Sequence, residues 1–477
     1  MPVSKQRCDF ESATIIGSGP NGLAAAIELA LAGVSVTVYE AEKTIGGSTR
    51  SGELTLPGFV HDICSAVHPL GVGSPFFRRL PLVEHGLEWI QPPASLAHPL
   101  DDGTAVMLER SIDETCENLR RDASAYRKLV KPFVDDWEHL SSDLLGPPRF
   151  PSHPLTFTRF GFLAMRSAQS LAKSRFTGER ARALIAGNAG HSMLALDRLF
   201  SASFALVLAV AGHAVGWPIA RGGSQKIADA LASYLRSLGG EIIPDSPVTS
   251  VDGFLKPNHA VLCDLTTRGL LKVAGNHLPE GYRRKLERFR YDIGAYKIDW
   301  ALSGPIPWTA KECARAATVH LGGTLAEIAE SENAPSKGKH AEKPFVLLVQ
   351  PSLFDASRAP EGKHTAWGYC HVPAGSNFDM TGRIENQIER FAPGFRDCII
   401  ERKVSPPAEL ERHNANLIGG NINGGSQDIP QLFLRPTMRL YSTPVKGLYI
   451  CSASTPPGGA VHGMCGYFAA RRVLSEA

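Results

Sequence analysis

The sequence lacks any apolar run long enough to cross a bilayer. Its longest, from Phe200 to Ala211, falls well short of the roughly 20 residues a span requires. It also lacks an excess of one charge. Fifty Lys plus Arg face 47 Asp plus Glu, for a formal net charge of +3, which excludes the electrostatic footprint of a nucleic-acid partner. No CxxC or CxxxxC pair occurs, and no Cys/His cluster has zinc-binding spacing. The nine cysteines lie scattered at 8, 64, 116, 263, 313, 370, 398, 451 and 465. An odd, dispersed set reads as reduced thiols rather than a disulfide framework, and it excludes dithiol redox chemistry. There is no Asn-x-Ser/Thr sequon, no internal repeat and no low-complexity tract. The opening residues MPVSKQRCDFES are polar and lack an apolar signal core, so a cytoplasmic location is expected.

What is present is enough for a large buried core: 477 residues, 43% of them hydrophobic, are room for about three lobes. Thr14-Ile15-Ile16 is a short apolar run, Asn21–Leu31 is rich in the helix formers Ala and Leu, and Gly33 is placed to end that helix. Val34–Tyr39 is β-branched and reads as a second strand, closing a βαβ unit. Residues 112–212 read as mostly helical, broken by Pro147, Pro148, Pro151 and Pro154. Residues 219–252 resume an α/β pattern. Residues 290–303 and 344–372 alternate as half-buried strands do, and Glu385–Phe391 reads as a helix. The polar stretch 325–344 is expected to be a loop. Residues 447–476 read as strand, Gly-rich turn, then helix.

Inside the first unit, Gly17-Ser18-Gly19-Pro20-Asn21-Gly22 matches G-x-G-x-x-G. The pattern alone is weak. Here it follows a strand, opens a helix, and is answered by Glu40 at the end of the next strand, which makes it strong. Gly17 permits the tight turn, Gly19 lets backbone approach a pyrophosphate, and Gly22 lets helix and strand pack. The pyrophosphate meets the helix N-terminus, where free N–H groups and the dipole favour anions. Glu40 can accept from ribose hydroxyls, and its charge would repel a 2′-phosphate, so FAD or NAD is expected over NADP. The paired glycine Gly46-Gly47, followed by Arg50, suits a second loop against the pyrophosphate. Far along the chain, Ser452 and the run Thr455–Gly463 lead into a helix from Met464. A second helix N-terminus there would stabilise negative charge on a reduced ring system.

The stretches GSGPNGLAAAIELALAGVSVTVYEAEKTIGGSTRS and GLYICSASTPPGGAVHGMCGYFAARR resemble the phytoene-desaturase-like FAD-dependent oxidoreductases, relatives of the amine oxidases. LTLPGFVHDICSAVHPL, GWPIARGGSQKIADALASYLRSLGGEI and YDIGAYKIDWALSGPIPW extend the resemblance over nearly the whole chain. It implies an α/β fold: a Rossmann-like FAD-binding domain of the glutathione-reductase/amine-oxidase type with an inserted α+β substrate domain. The FAD-binding parts would be 1–110, 216–275 and 436–477, with a mainly helical lobe at 111–215 and a sheet-bearing substrate domain at 276–435. Gly17, Gly19, Asn21 and Gly22 would hold the pyrophosphate, Glu40 the ribose, and Val248 the adenine through its backbone. Gly47 and Arg50 would cover the pyrophosphate and flavin side. Ser452, Gly459, Ala460 and Val461 would meet the ribityl chain and isoalloxazine. Pro20, Ala41 and Gly46 belong to the same cofactor-binding stretches. Ser452 departs from the glycine often found there, and Arg50 is displaced from the usual Gly-Gly-Arg.

A flavin enzyme needs an apolar cavity and sometimes a base, not a nucleophile. The catalytic candidates are His68, Lys297, by analogy with the amine-oxidase lysine, and His462. Each has a structural alternative: a satisfied histidine, a solvated strand lysine, a helix-start histidine. No second G-x-G-x-x-G follows, so a bound nicotinamide domain is not expected, and oxygen or a quinone fits as electron acceptor. The stretch Phe157–Phe176 interleaves aromatics with Arg159, Arg166, Lys173 and Arg175. It is either an ordinary lobe helix or a basic amphipathic helix at a membrane surface. Three functions stand open: C–C bond redox or isomerisation on a small apolar substrate, amine-oxidase-like chemistry at a C–N bond, and a flavin-stabilised interaction protein.

Overall fold

The computed structural model describes residues 10–476, apart from the Phe433 side chain; the polar N-terminal residues 1–9, with Cys8, lie outside them. Strand β1 (Ser12–Ile16) pairs in parallel with β2 (Ser35–Tyr39) on one side and with His259–Cys263 on the other. Glu241–Ile243 and Leu448–Ile450 extend the sheet at its two edges, again in parallel. Parallel strands need cover on both faces. Helix α1 (Pro20–Leu31) packs on β1 and lies between Gln225–Ser237 and Met464–Ser475. The last crossing is close because Gly466 faces α1: a Cβ there would lie 1.8 Å from the Asn21 carbonyl oxygen.

A second sheet has seven strands in the order 399–405, 293–302, 364–373, 346–349, 316–321, 94–99 and 105–109. Two of its strands, Ala94–Pro99 and Ala105–Glu109, come from the stretch assigned by sequence to the first cofactor-binding part. The helices from Ile112 to Ala214 cover one face, sharing a core with Leu96, Leu108 and Leu347. Helix Thr381–Phe391 covers the other, against Trp300 and Phe395. Ile293–Leu302 is therefore buried at every position, although its alternation predicts a half-buried strand.

Two sequence expectations need correction. Leu325–Ser336 is a helix, not part of a loop. Thr324 and Glu327 form a reciprocal capping box, and Leu325 and Ile328 are buried against helix Glu179–Gly190. The stretch 157–176 is two helices, Pro154–Ala164 and Ala168–Arg175, because Ser167 caps a new start through Ser170 N–H. No helix of the described residues is long and apolar enough to cross a membrane.

Candidate functional site

A cavity of about 560 Å³ runs from the C-terminal ends of the parallel strands to the covered face of the second sheet. Its first part is built on the glycine turn. Gly17 has φ +102°, open to glycine, and its N–H donates to the Tyr39 carbonyl. Gly19 precedes Pro20 at the start of α1, and no side chain caps that helix. The N–H groups of Gly19 and Asn21 donate to no described residue and are left for an anion. Gly47 faces Gly19 across the gap: a Cβ on Gly47 would come within 3.4 Å of the Gly19 Cα. This cradle of missing side chains fits a diphosphate. Arg50, buried, is pinned by the Gly47 and His413 carbonyls and points its charge along the same wall.

Of the residues assigned by sequence to the cofactor, Gly17, Gly19, Pro20, Asn21, Glu40, Ala41, Gly47, Arg50, Val248, Ser452, Gly459, Ala460 and Val461 line this one cavity. Gly22 and Gly46 stand behind it. A Cβ on Gly22 would sit 2.1 Å from the Gly17 carbonyl oxygen, so its part is helix–strand packing. Gly46 packs on Ala228. Glu40 accepts from the backbone N–H groups of Ser18 and Glu42, which fixes its carboxylate on the cavity wall. The C-terminal segment departs from expectation. Residues 452–454 and 459–461 line the cavity, but no residue of the helix that starts at Met464 does. The Met464 N–H donates to His462 Nδ1 instead. Ala460 holds φ +117°, a strained conformation for a residue with a Cβ, where the chain meets the cavity.

The catalytic candidates separate. His68 lines the cavity. Ser224 Oγ donates to the Ser65 carbonyl, so it accepts from His68 Nε2–H at 2.9 Å. Burial pushes the His68 pKa down to about 4, leaving a neutral ring whose Nδ1 lone pair has no partner among the described residues. Lys297 and His462 are not brought to the wall. Lys297 is buried in an ion pair with Asp299, its ammonium 5.1 Å from the Trp367 ring centre, behind the wall that Trp367 forms. His462 is fully buried and caps the terminal helix.

Sequence reasoning missed Asp264. It ends strand His259–Cys263, accepts from the Gly22 N–H at 3.0 Å, and would touch a Cβ on Gly19 at 2.6 Å. The one available signal was an acid directly after an apolar run. Burial, reinforced by Glu40, pushes its pKa up to about 7 against one lowering bond from Gly22. A neutral carboxyl tolerates an adjacent diphosphate, and an ionised one repels it. Dinucleotide affinity should therefore fall by about tenfold between pH 6 and pH 8. Asp264→Asn should flatten that dependence; a wild-type affinity that stays constant over this range refutes it.

Residues 15–80 match the model of an NAD(P)-binding Rossmann-like domain. The chain is 26% identical to pyridine nucleotide-disulfide oxidoreductase domain-containing protein 2 of Mus musculus, over 97% of this chain and 93% of that one. It is 25% identical to the neurosporene-forming phytoene desaturase of Rhodobacter capsulatus, over 97% and 94%. A putrescine oxidase solved with putrescine bound superposes with a TM-score of 0.61 at 17% identity, covering 98% of both chains. Motif, fold and full-length relatives agree: the chain is an oxidoreductase built on a Rossmann-like dinucleotide-binding domain, and it is similar over nearly its whole length to a phytoene desaturase.

Proposed function

We propose that this chain binds FAD and makes, removes or shifts a carbon–carbon double bond in a small apolar substrate. The observation that carries the reading is the continuation of the cavity beyond the glycine cradle into a chamber walled by Phe204, Leu208, Leu347, Val349, Trp217 and Trp367. The dinucleotide accounts for the cradle, and the apolar chamber is the part left for a substrate. A bound flavin supplies hydride transfer at its N5 position. The chain's residues hold the substrate in a dry site and present His68 as a neutral acceptor of fixed tautomer. Its Nε2–H is committed to Ser224, so any proton it takes arrives at Nδ1.

An amine substrate is less well served. Trp367 and Tyr369, both on the cavity wall, stack on each other at 5.7 Å and 19°. A group held between two facing rings needs roughly 7 Å, two carbon contact distances. The phytoene desaturase relative matches over nearly its full length, whereas the putrescine oxidase supports the fold alone. With one glycine-turn sheet among the described residues, oxygen or a quinone fits as electron acceptor.

The purified protein should show flavin bands near 370 and 450 nm (on the order of the free chromophore's), released by acid precipitation. Anaerobic reduction by a panel of isoprenoid hydrocarbons, against amines, then tests the substrate class. Rapid reduction by an amine alone, or by NADPH, refutes the reading.

The same reading extends to a membrane surface as the source of substrate. Leu155, Phe162 and Met165 are strongly exposed on or just after helix Pro154–Ala164, with Phe150 and Leu199 exposed in the flanking segments. Arg159, Lys173, Arg175 and Arg198 are exposed in the same lobe. Exposed apolar side chains ringed by cations suit an anionic bilayer. Flotation with phosphatidylserine-containing vesicles should retain the protein, and Leu155→Glu with Phe162→Glu should cut retention about tenfold. Absence of wild-type flotation removes the membrane from the proposal.

A further inference from the structure

We propose that the deep end of the apolar chamber is a recognition subsite for a substrate hydroxyl, read by His191 and Thr318. This rests on the chamber being a substrate site, and it adds a polar end to a substrate otherwise taken to be hydrocarbon.

Two polar side chains interrupt the apolar walls there. Thr318 is 2% exposed, and its Oγ1 has no hydrogen-bond partner among the described residues, although burial makes an unpaired hydroxyl costly. His191 lies with its Nε2 2.9 Å from His320 Nε2, and Trp217 meets its ring edge-on at 5.7 Å. Its Nδ1 donates to and accepts from no described residue. Thr318 and His320 are two residues apart on strand Ala316–Leu321, hence on one face of the sheet. His191 thus joins Thr318 through the ring it is bonded to.

The hydrogen-bond order fixes what the subsite offers. His98 donates through Nε2 to the Gly323 carbonyl at 2.7 Å, which leaves its Nδ1 as a lone pair. His98 Nδ1 and His320 Nδ1 converge on Gly187, where a Cβ would lie 3.2 and 2.7 Å from them. Neither Nδ1 has a hydrogen-bond partner among the described residues, and two lone pairs aimed at one spot would repel, so in the proposal His320 carries its proton on Nδ1. Its Nε2 then accepts from His191 Nε2–H. What His191 shows the chamber is a lone pair on Nδ1. Burial holds His98 and His191 neutral, with pKa values pushed down to about 4 and about 3, and His320 well below its usual range.

The site therefore pairs an acceptor with a hydroxyl that can donate. In the proposal a substrate hydroxyl serves both, donating to His191 and accepting from Thr318, whose buried Oγ1 must turn toward the chamber to meet it. A carbonyl satisfies Thr318 alone. A carboxylate sets its charge against the His191 lone pair. An ammonium finds no counter-charge, because the carboxylates lining the cavity, Glu40, Glu42 and Asp264, belong to the dinucleotide end.

The test is binding to the flavin-loaded protein, read by the shift of the flavin absorption bands on titration. The probes are a C20 isoprenoid alcohol and the hydrocarbon with a methyl group in place of its CH₂OH, with the matching aldehyde and acid. The alcohol should bind at least about tenfold tighter than the hydrocarbon. Thr318→Val and His191→Phe should each erase that preference while hydrocarbon affinity stays within about twofold. Thr318→Val, which removes an unpaired hydroxyl at constant shape, should also raise the Tm of the unliganded protein. Equal binding of alcohol and hydrocarbon, preference for the acid, or preference retained in Thr318→Val overturns the subsite and leaves the apolar chamber standing. Failure of every probe to bind overturns both.

Discussion

Gly19→Val should yield a protein that folds normally and purifies without colour. Backbone strain is not the reason, since Gly19 sits at φ −63° and ψ 168°, which any residue adopts. The reason is space. A Cβ would press on Asp264 Oδ2 at 2.6 Å, and Asp264 is the group that holds the Gly22 N–H. The branched methyls would then stand in the gap across which Gly19 and Gly47 face each other. Dinucleotide affinity should drop by about three orders of magnitude, roughly 4 kcal/mol. The ratio of flavin to protein absorbance, beside an unchanged far-ultraviolet circular dichroism spectrum, measures it. Gly33→Ala is the control. Gly33 has φ +89° and nothing within 4 Å of a Cβ, so it should cost only about 1 kcal/mol of stability and keep the flavin. A coloured Gly19→Val protein would mean that the diphosphate lies elsewhere.

Asp62→Ala should destabilise the protein by about 3–5 kcal/mol, a large part of an ordinary domain's stability. Asp62 and Arg358 are both about 1% exposed and bonded at 2.7 Å. Asp62 also accepts from Ser51 Oγ and the Ser224 N–H, while Arg358 donates to the Val60 carbonyl. Removing the carboxylate leaves a buried guanidinium without its counter-charge. It also frees Ser224, the residue that orients His68. Burial pushes the Asp62 pKa up, but Arg358 and the bonds from Ser224 and Ser51 outweigh it and leave it below 3.8. A depressed carboxyl contributes stability above the unfolded value and loses it as pH falls through the folded one. The Tm gap between wild type and Asp62→Ala should therefore be full at pH 7 and narrow below pH 3.8. Replacing both partners by apolar residues, Asp62→Leu with Arg358→Met, should recover much of the loss. A gap that stays constant down to pH 2 would locate the cost in packing rather than charge.

The cofactor end of this protein is legible in sequence because its chemistry is local. A turn, a helix start and an acid within 24 residues, Gly17 to Glu40, carry their spacing with them. Chemistry assembled by topology leaves no such trace. Asp264 reaches the turn only because His259–Cys263 inserts beside β1, more than 240 residues later in the chain. His191 and His320 meet across 129 positions, one on the helical lobe and one on a strand. Lys297 looked like a cofactor contact because its strand is the right one by resemblance. Its partner Asp299, on the same face two residues on, holds it behind Trp367. The helix Leu325–Ser336 was hidden by its polar composition, although its Thr-x-x-Glu start was there to be read.

The parallel sheet has a consequence for synthesis. Its strands enter in the chain order 12–16, 35–39, 241–243, 259–263 and 448–450, yet the first of them lies at its centre. On the ribosome, β1 emerges with one neighbour and waits for the other until more than 200 residues have followed. The edge strand and the helix that closes on α1 arrive last of all. The nascent chain therefore carries an apolar, half-paired β1 while more than 200 further residues are made, the kind of exposed strand edge that calls for a holding chaperone. Nucleotide capture can be completed only after Leu448–Ile450 and the helix that follows it have emerged, so translation rate and chaperone supply, rather than flavin supply alone, would set the yield of loaded protein in a cell.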